Sequence, residues 1–168
     1  MSKYGNGGKE ILPGIKRDPG YLSKHNMEIT GRRNGLPVIR QRPGASNSLG
    51  LVKFLFPNSY SIYLHDTPSK SLFNETDRAF SHGCIRVKEP AKLAAFLLRD
   101  DPNWTAVSIK SAMHSGKERY VNISKKVPVF IAYLTAFVDR DNKLNFRKDI
   151  YNLDQALGSM IISGDGAY

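Results

Sequence analysis

The stretch that decides this fold runs from YLHDTP (residues 63–68) to SHGCIR (residues 81–86). It contains Cys84, the single cysteine of the chain, and two of its four histidines. The glycine before the cysteine permits backbone conformations that a side chain would block. The N–H groups of Gly83 and Cys84 are then both able to face a developing oxyanion. The stretch therefore favours a cysteine nucleophile held in a tight turn.

A cysteine nucleophile needs a base or a cation nearby, because a free thiol is mostly protonated at neutral pH. His65 and His82 are the two candidate bases. Asp66 follows His65 directly and is able to orient its ring through either its carbonyl or its carboxylate. Together these residues supply the groups from which a thiolate–imidazole pair is built.

Two other interpretations of the same residues remain open. A lone cysteine is often a small buried hydrophobic side chain without a chemical role. His65, His82 and Cys84 would also supply three ligands for zinc, although no fourth ligand is evident and the first two are not closely spaced.

The same stretch resembles the signature of the YkuD-type L,D-transpeptidases: a His, a spacer, then Ser/Thr-His-Gly-Cys, a hydrophobic residue and Asn or Arg. The 15 residues 66–80 form a spacer within the range of the family, and Arg86 occupies the last position. The flanks resemble the large Gram-negative-type murein enzymes with a cap subdomain, from about Lys9 to Leu153. The matching flanks are residues 11–13, 17–22, 42–44, 47–50, 56–58, 120–123 and 133–137.

The resemblance implies an acyl-transfer enzyme of peptidoglycan that needs no cofactor and no metal. Cys84 would attack the carbonyl after the third residue of a donor stem tetrapeptide and release D-Ala. The thioester would pass to the side-chain amine of a neighbouring stem, giving a 3→3 cross-link. A lipoprotein lysine and water, the latter giving a carboxypeptidase, are other acceptors, and carbapenems are the expected covalent inhibitors.

The resemblance also implies the roles within the site. His65 is the general base, and Asp66 orients its ring through the backbone carbonyl. His82 belongs to the motif without being the primary base. The N–H groups of Gly83 and Cys84 form the oxyanion hole.

Three further residues are expected to contact substrate: Ser81, Arg86 and Tyr63. A guanidinium binds a carboxylate through two parallel hydrogen bonds, so Arg86 suits a substrate carboxylate. A pair with a core carboxylate is the alternative for Arg86. Tyr63 shares a predicted strand face with Ser61 and His65, which would look into the site; a packed aromatic is the alternative.

Composition and charge narrow the class of protein. The chain has 168 residues, of which 40% are hydrophobic and 24% charged, as in one globular domain. The formal net charge of +10 indicates an acidic partner, either nucleic acid or an anionic cell wall. The charges are scattered and no nucleic-acid-binding motif is present, so we expect no nucleic acid. Peptidoglycan stem peptides are the partner that the resemblance implies. No apolar run reaches membrane-spanning length.

The start of the chain bears on location. The family works in the periplasm or cell wall, yet MSKYGNGG (residues 1–8) has no apolar core and is no secretory signal. We therefore expect either a longer precursor or a fragment. Relatives carry several strands ahead of residues 11–13, so the sheet is expected to lack its N-terminal strands. A truncated, non-catalytic peptidoglycan-binding module is the rival function.

The expected fold is mostly β, a β-rich sandwich with flanking helices. Residues 1–8 are expected to be disordered or engineered, 9–157 to form the catalytic domain with a short cap-like segment at 10–42, and 158–168 to form a tail. Hydrophobic periodicity and capping residues predict the elements. The predicted helices are 9–16, 18–24, 89–98 and 104–115. The predicted strands are 48–56, 60–64, 85–87, 119–123, 126–138 and 144–146. Residues 27–44 are expected to be mostly loop, and 66–80 to form a polar loop long enough to fold over a substrate.

Overall fold

The computed structural model describes residues 11–81 and 83–163. The predictions for residues 1–8, for the first two residues of the helix at 9–16, for His82 and for 164–168 fall outside the described residues. The chain forms two compact units, one reaching to Val127 and one starting at Pro128. Whether residues 9–157 act as one catalytic domain stays a prediction.

In its described residues, the first unit combines a β-hairpin, a small mixed sheet, four α-helices and a 3-10 helix. Its helices are α1 (Leu12–Arg17), α2 (Tyr21–Lys24), α3 (Pro90–Leu97) and α4 (Ala106–Met113), with a 3-10 helix at Lys70–Asn74. Its strands are β1 (Met27–Arg33), β2 (Leu36–Gln41), β3 (Lys53–Phe54), β4 (Leu64–His65) and β5 (Ile85–Arg86).

Strands β1 and β2 form an antiparallel hairpin in which Arg33 pairs with Leu36. The connecting residues Asn34 and Gly35 have φ of 49° and 76°. Two consecutive positive φ angles define the tight turn that suits the twist of a hairpin, and Asn-Gly is its preferred sequence. The prediction of mostly loop at 27–44 was therefore wrong, because the Asn-Gly signal lies there.

Strands β3, β4 and β5 form a mixed sheet in that order, antiparallel between β3 and β4 and parallel between β4 and β5. Of the strand predicted at 48–56, only Lys53–Phe54 forms a strand, and in place of the strand predicted at 60–64 the structure has Leu64–His65. The Asn58 side chain donates to the carbonyls of Phe56 and Ile62 and accepts from the N–H of Ile62, at 2.7–3.0 Å. Ser61 has a φ of 57°. These side-chain bonds replace the strand ladder before β4.

Helices α3 and α4 form close to where the sequence predicts them. Pro90 occupies the first turn of α3, where its missing N–H costs nothing. The Thr105 hydroxyl accepts from the Ser108 N–H at 3.2 Å and caps α4. Ala94 and Ile109 are buried, so the two helices contribute the centre of a small core.

The second unit contains strands β6 (Ala136–Val138) and β7 (Leu144–Phe146) and helix α5 (Asp154–Ser163). Strands β6 and β7 form an antiparallel hairpin, and β7 has its predicted bounds of 144–146. The Asp139 carboxylate shapes the turn by accepting from the N–H groups of Asp141 and Lys143. Residues 119–123 of the first unit and 128–135 of the second do not form strands, contrary to prediction. An apolar segment becomes a strand only where a neighbouring strand completes its ladder.

The described residues place their strands in three small sheets with helices beside them. The predicted class, mostly β with flanking helices, is confirmed.

Candidate active site

His65 lies on β4, the central strand of the three-stranded sheet. His65 lies directly opposite Lys53 on one side and Arg86 on the other. The centroids of the Tyr63 and His65 rings are 5.9 Å apart. Cys84 comes just before β5, two positions before Arg86.

The ring of His65 is held by the backbone. Its Nδ1 is hydrogen-bonded to the carbonyl oxygen of Asp66. A carbonyl only accepts hydrogen bonds, so Nδ1 carries the proton. In the neutral ring Nε2 is then unprotonated and is able to accept a proton.

Burial keeps His65 in its neutral form. The side chain is buried, and this desolvation lowers its pKa below the usual value. The positive charge of Arg86 lowers the pKa further, while the hydrogen bond from the ring to the Asp66 carbonyl favours the charged form and opposes the shift. His65 is therefore available as a base at neutral pH.

The carboxylate of Asp66 binds Leu51 and Lys70, while its backbone carbonyl holds the His65 ring. The carboxylate accepts from the Leu51 N–H at 2.9 Å and pairs with Lys70 Nζ at 2.5 Å. Burial alone would raise the pKa of Asp66, but the Lys70 ammonium and the backbone N–H groups outweigh it, and the pKa is lowered. The same ammonium donates to the carbonyls of Val87 and Lys88, at 3.3 and 3.0 Å. Lys70 thus ties the loop after β4 to the chain leaving β5.

Gly50 makes room for this carboxylate. A Cβ atom at Gly50 would lie 2.5 Å from three side-chain atoms of Asp66, and the φ of Gly50 is +63°. Its N–H donates to the carbonyl of Asn47 at 2.8 Å, which closes the turn that presents Leu51 to the carboxylate. Only glycine satisfies both the backbone and the space at this position.

The turn before Cys84 is built around Ser81. The Ser81 hydroxyl donates to the carbonyl of Cys84 at 2.6 Å and accepts from the Gly83 N–H at 3.4 Å. Gly83 has a φ of +135°, which L side chains rarely adopt. The oxyanion role of Gly83 and the substrate contact of Ser81 stay predictions, and His82 lies outside the described residues.

Two guanidinium nitrogens of Arg86, Nε and Nη1, are buried and have no partner among the described residues. Within 11–81 and 83–163, neither Arg86 nor Lys53 forms an ion pair with a carboxylate. Buried polar groups are normally hydrogen-bonded, so these nitrogens have bonding capacity left for a ligand.

Sequence reasoning missed two lysines of this region, Lys53 and Lys70. Lys53 reaches the site through pairing across β3 and β4, and a register between strands cannot be read from local sequence. Lys70 lies four residues after Asp66 on the chain. This spacing was a usable signal, although the pair forms in a loop leading into a 3-10 helix.

A groove of the first unit adjoins this region and shares Lys53 with it. It has a volume of about 660 Å³ and apolar walls from β3, α3 and α4, and neither His65 nor Cys84 lines it. Among the described residues, no three His, Cys, Asp or Glu side chains are placed to hold a metal ion. In the same residues, no helix has both the length and the apolar character to cross a membrane.

Comparisons with known proteins identify the family of this chain. Residues 2–131 match the YkuD family model, described as the L,D-transpeptidase catalytic domain. A curated relative from Haemophilus influenzae, named "Putative L,D-transpeptidase", is 33% identical over 172 residues, which cover 94% of this chain and 35% of the relative. The chain thus spans about a third of that relative's length. By the family match over most of its residues, the chain belongs to the YkuD family of L,D-transpeptidase catalytic domains.

Proposed function

We propose that this chain is a peptidoglycan L,D-transpeptidase domain with Cys84 as its nucleophile. The observation that carries the proposal is a neutral, oriented His65 on β4, which pairs with β5, the strand directly after Cys84. The ring is held at Nδ1 by the Asp66 carbonyl, and its lowered pKa keeps it neutral. A neutral imidazole held in one orientation, on a strand paired with the one that follows the thiol, supports the proposal because a cysteine nucleophile needs a base nearby.

The first half of the proposed reaction forms a thioester. His65 Nε2 accepts the thiol proton, and the Cys84 sulfur attacks the carbonyl after the third residue of a donor tetrapeptide. The N–H groups of Gly83 and Cys84 stabilise the oxyanion, which requires the Gly83 N–H to leave its long contact with Ser81. Collapse breaks the peptide bond, and D-Ala leaves with the proton returned by His65.

The second half transfers the acyl group. The side-chain amine of an acceptor stem attacks the thioester, His65 takes the proton from that amine, and the Cys84 thiol is regenerated. The product is a 3→3 cross-link. A lipoprotein lysine or water in place of this amine gives the alternative products.

Arg86 is proposed to bind the terminal carboxylate of the donor. Two of its nitrogens are buried and have no partner among the described residues. Arg86 lies two residues after Cys84 in the chain. A guanidinium holds a carboxylate bidentately, which would fix the donor relative to the sulfur. The reaction needs no metal or organic cofactor, and its substrate places the protein in the periplasm or cell wall.

Mass spectrometry of the protein after incubation with a carbapenem tests this function. The wild-type chain is expected to gain the mass of one carbapenem, and Cys84→Ser is expected to gain none. Lys110→Met, on the exposed side of α4, is a control expected to react like wild type. An unreactive, folded wild-type protein that still sediments with purified peptidoglycan would overturn the proposal in favour of a wall-binding module.

A further inference from the structure

One ammonium group connects the residue after β4 with the chain leaving β5. The Lys70 Nζ atom donates to Asp66 Oδ1 at 2.5 Å. It also donates to the carbonyls of Val87 and Lys88, at 3.3 and 3.0 Å. A lysine ammonium has three N–H donors and no acceptor. These three acceptors therefore match its whole donor capacity.

The contacts of Lys70 extend a short strand pair. The parallel pairing of β4 with β5 covers two residues on each strand. The Ile85 N–H donates to the Tyr63 carbonyl at 3.1 Å, and the Val87 N–H donates to the His65 carbonyl at 2.8 Å. The ammonium binds the carbonyl of that same Val87. Lys70 therefore adds a side-chain link between the two strands where their backbone bonds end.

This link differs from an exposed ion pair of the same unit. Lys92 binds Glu89 at 2.6 Å at the start of α3, where the two side chains are 76% and 59% exposed. The Asp66 side chain is only 7% exposed in its pair with Lys70. Exposed pairs contribute little because water and salt compete for them, whereas a hydrogen bond shielded from water is stronger. The Lys92 pair is therefore a matched comparison for the Lys70 link.

The two segments that Lys70 joins carry the two reacting groups of the proposed mechanism. The carbonyl of Asp66 holds the His65 ring, and β5 directly follows Cys84. A shift of the chain leaving β5 would change the distance from the ring to the sulfur. A misplacement of about 1 Å between reacting groups is able to slow a reaction on the order of 10²-fold.

We propose that Lys70 is a positioning residue whose ammonium fixes the strand after Cys84 relative to the ring of His65. This inference rests on the proposed transpeptidase function and adds a residue to it. Lysine suits the role because one nitrogen meets all three acceptors, whereas the donors of arginine are spread over a planar fork. Asp66→Asn keeps an oxygen that this ammonium can bind, so we expect that variant to keep the link.

Release of D-Ala from a donor tetrapeptide tests the role in wild type, Lys70→Met, Lys70→Arg and Lys92→Met. Lys70→Met keeps a long side chain without donors, and its kcat is expected to fall by about 10- to 100-fold while KM stays within about threefold. Lys70→Arg keeps the charge without the three-point contact and is expected to lose about three- to tenfold in kcat. Lys92→Met removes only an exposed pair and is expected to match wild type.

Alkylation by iodoacetamide gives a second measurement that needs no substrate site. Cys84 is the single thiol of the chain, so the rate reports this residue alone. Because the thiolate depends on a base nearby, the alkylation rate is expected to fall in Lys70→Met as kcat does. A residue that only stabilised the fold would leave this rate unchanged in protein that circular dichroism shows to be folded.

The outcomes separate the positioning role from the proposed function. Wild-type kcat in folded Lys70→Met, a loss confined to KM, or unchanged alkylation each overturns the role of Lys70. Wild-type kcat in Lys70→Arg also overturns it and decides the question if Lys70→Met does not fold. Failure of wild type to release D-Ala, together with no carbapenem adduct on Cys84, overturns the function itself. An active wild type leaves the function intact whatever the Lys70 variants do.

Discussion

At the scale of single residues, the site depends on one ring held by one carbonyl. Because Nδ1 of His65 is bound to Asp66, only Nε2 is left to exchange protons. We expect His65→Ala to slow acylation of Cys84 by a carbapenem by roughly 10²–10⁴-fold, the usual contribution of a general base. The rate of adduct formation, followed by mass spectrometry, measures this effect.

Two other histidines serve as comparisons for that experiment. His114 lies at the exposed end of α4, where its Nδ1 contacts the Lys110 carbonyl, and His114→Ala is expected to react like wild type. His82→Ala is expected to react more slowly than wild type but faster than His65→Ala. If His82→Ala alone abolished acylation, the two motif histidines would have to exchange roles.

The carboxylate of Asp66 is predicted to matter more for stability than for reaction. Asp66→Asn keeps the backbone carbonyl that holds His65 but loses the charge that pairs with Lys70. We expect acylation to stay within about tenfold of wild type, or roughly 1.4 kcal/mol of barrier. The free energy of unfolding should fall by about 1–3 kcal/mol, since a largely buried charged hydrogen bond is lost. A loss of acylation near the roughly 10⁴-fold known for an orienting carboxylate in a serine-protease triad would show that the side chain holds the base.

At the scale of elements, the turn before β3 packs against Asp66, the residue whose carbonyl holds the His65 ring. Gly50→Ala places a methyl group against Asp66 and also strains a backbone with φ of +63°. Gly116→Ala strains a similar φ of +67° with no atom within 4 Å, and so isolates the backbone effect. We expect Gly50→Ala to lower both the urea midpoint and the acylation rate more than Gly116→Ala does. Equal losses in the two variants would mean that contact with Asp66 does not matter.

The elements that could be predicted are those whose signals are local. Helices α3 and α4 follow from Pro90, from the Thr105 cap and from Gly116, which lie within a few residues of the helix ends. The Asn34-Gly35 turn carried an equally local signal, and the loop prediction at 27–44 gave it too little weight. Residues 119–123 have strand composition but no described strand to pair with, and pairing cannot be read from composition.

The same distinction holds for the site. The spacing of His65 and Cys84 identifies the motif from sequence, and the glycine in its turn has the φ that such a motif needs. The positions of Lys53 and Lys70 depend on register and on loop conformation, which are set by contacts between distant segments. The reacting groups proposed from the sequence stay a prediction, and Lys53 and Lys70 became evident only in the structure.

At the scale of the whole molecule, two groups of the site link stability to pH. The lowered pKa of His65 means that the unfolded chain, with a His pKa near 6.5, binds the proton more readily than the folded one. Stability should therefore begin to fall as pH drops through about 6.5. The lowered pKa of Asp66 adds stability that is present above about pH 3.9 and is lost as pH falls through its folded value.

Urea unfolding between pH 8 and pH 3 separates the two effects. His65→Gln should remove the decline between about pH 6.5 and 5 and leave the decline below about pH 4. Asp18 and Asp139 also have lowered pKa values and act in that lower window. His114→Gln should follow wild type throughout. An unchanged decline above pH 5 in His65→Gln would assign it to another group.

The parallel pairing of β4 with β5 also determines when the site appears during folding. Parallel neighbours require a long connection, and here residues 66–84 must be closed into a loop before His65 and Arg86 become adjacent. Helices α3 and α4 need only contacts that are close in sequence, and such contacts form early. On dilution from urea, helical circular dichroism should thus recover before the capacity to be acylated by a carbapenem. During this interval the helices would be folded, but the protein would not yet react with a carbapenem.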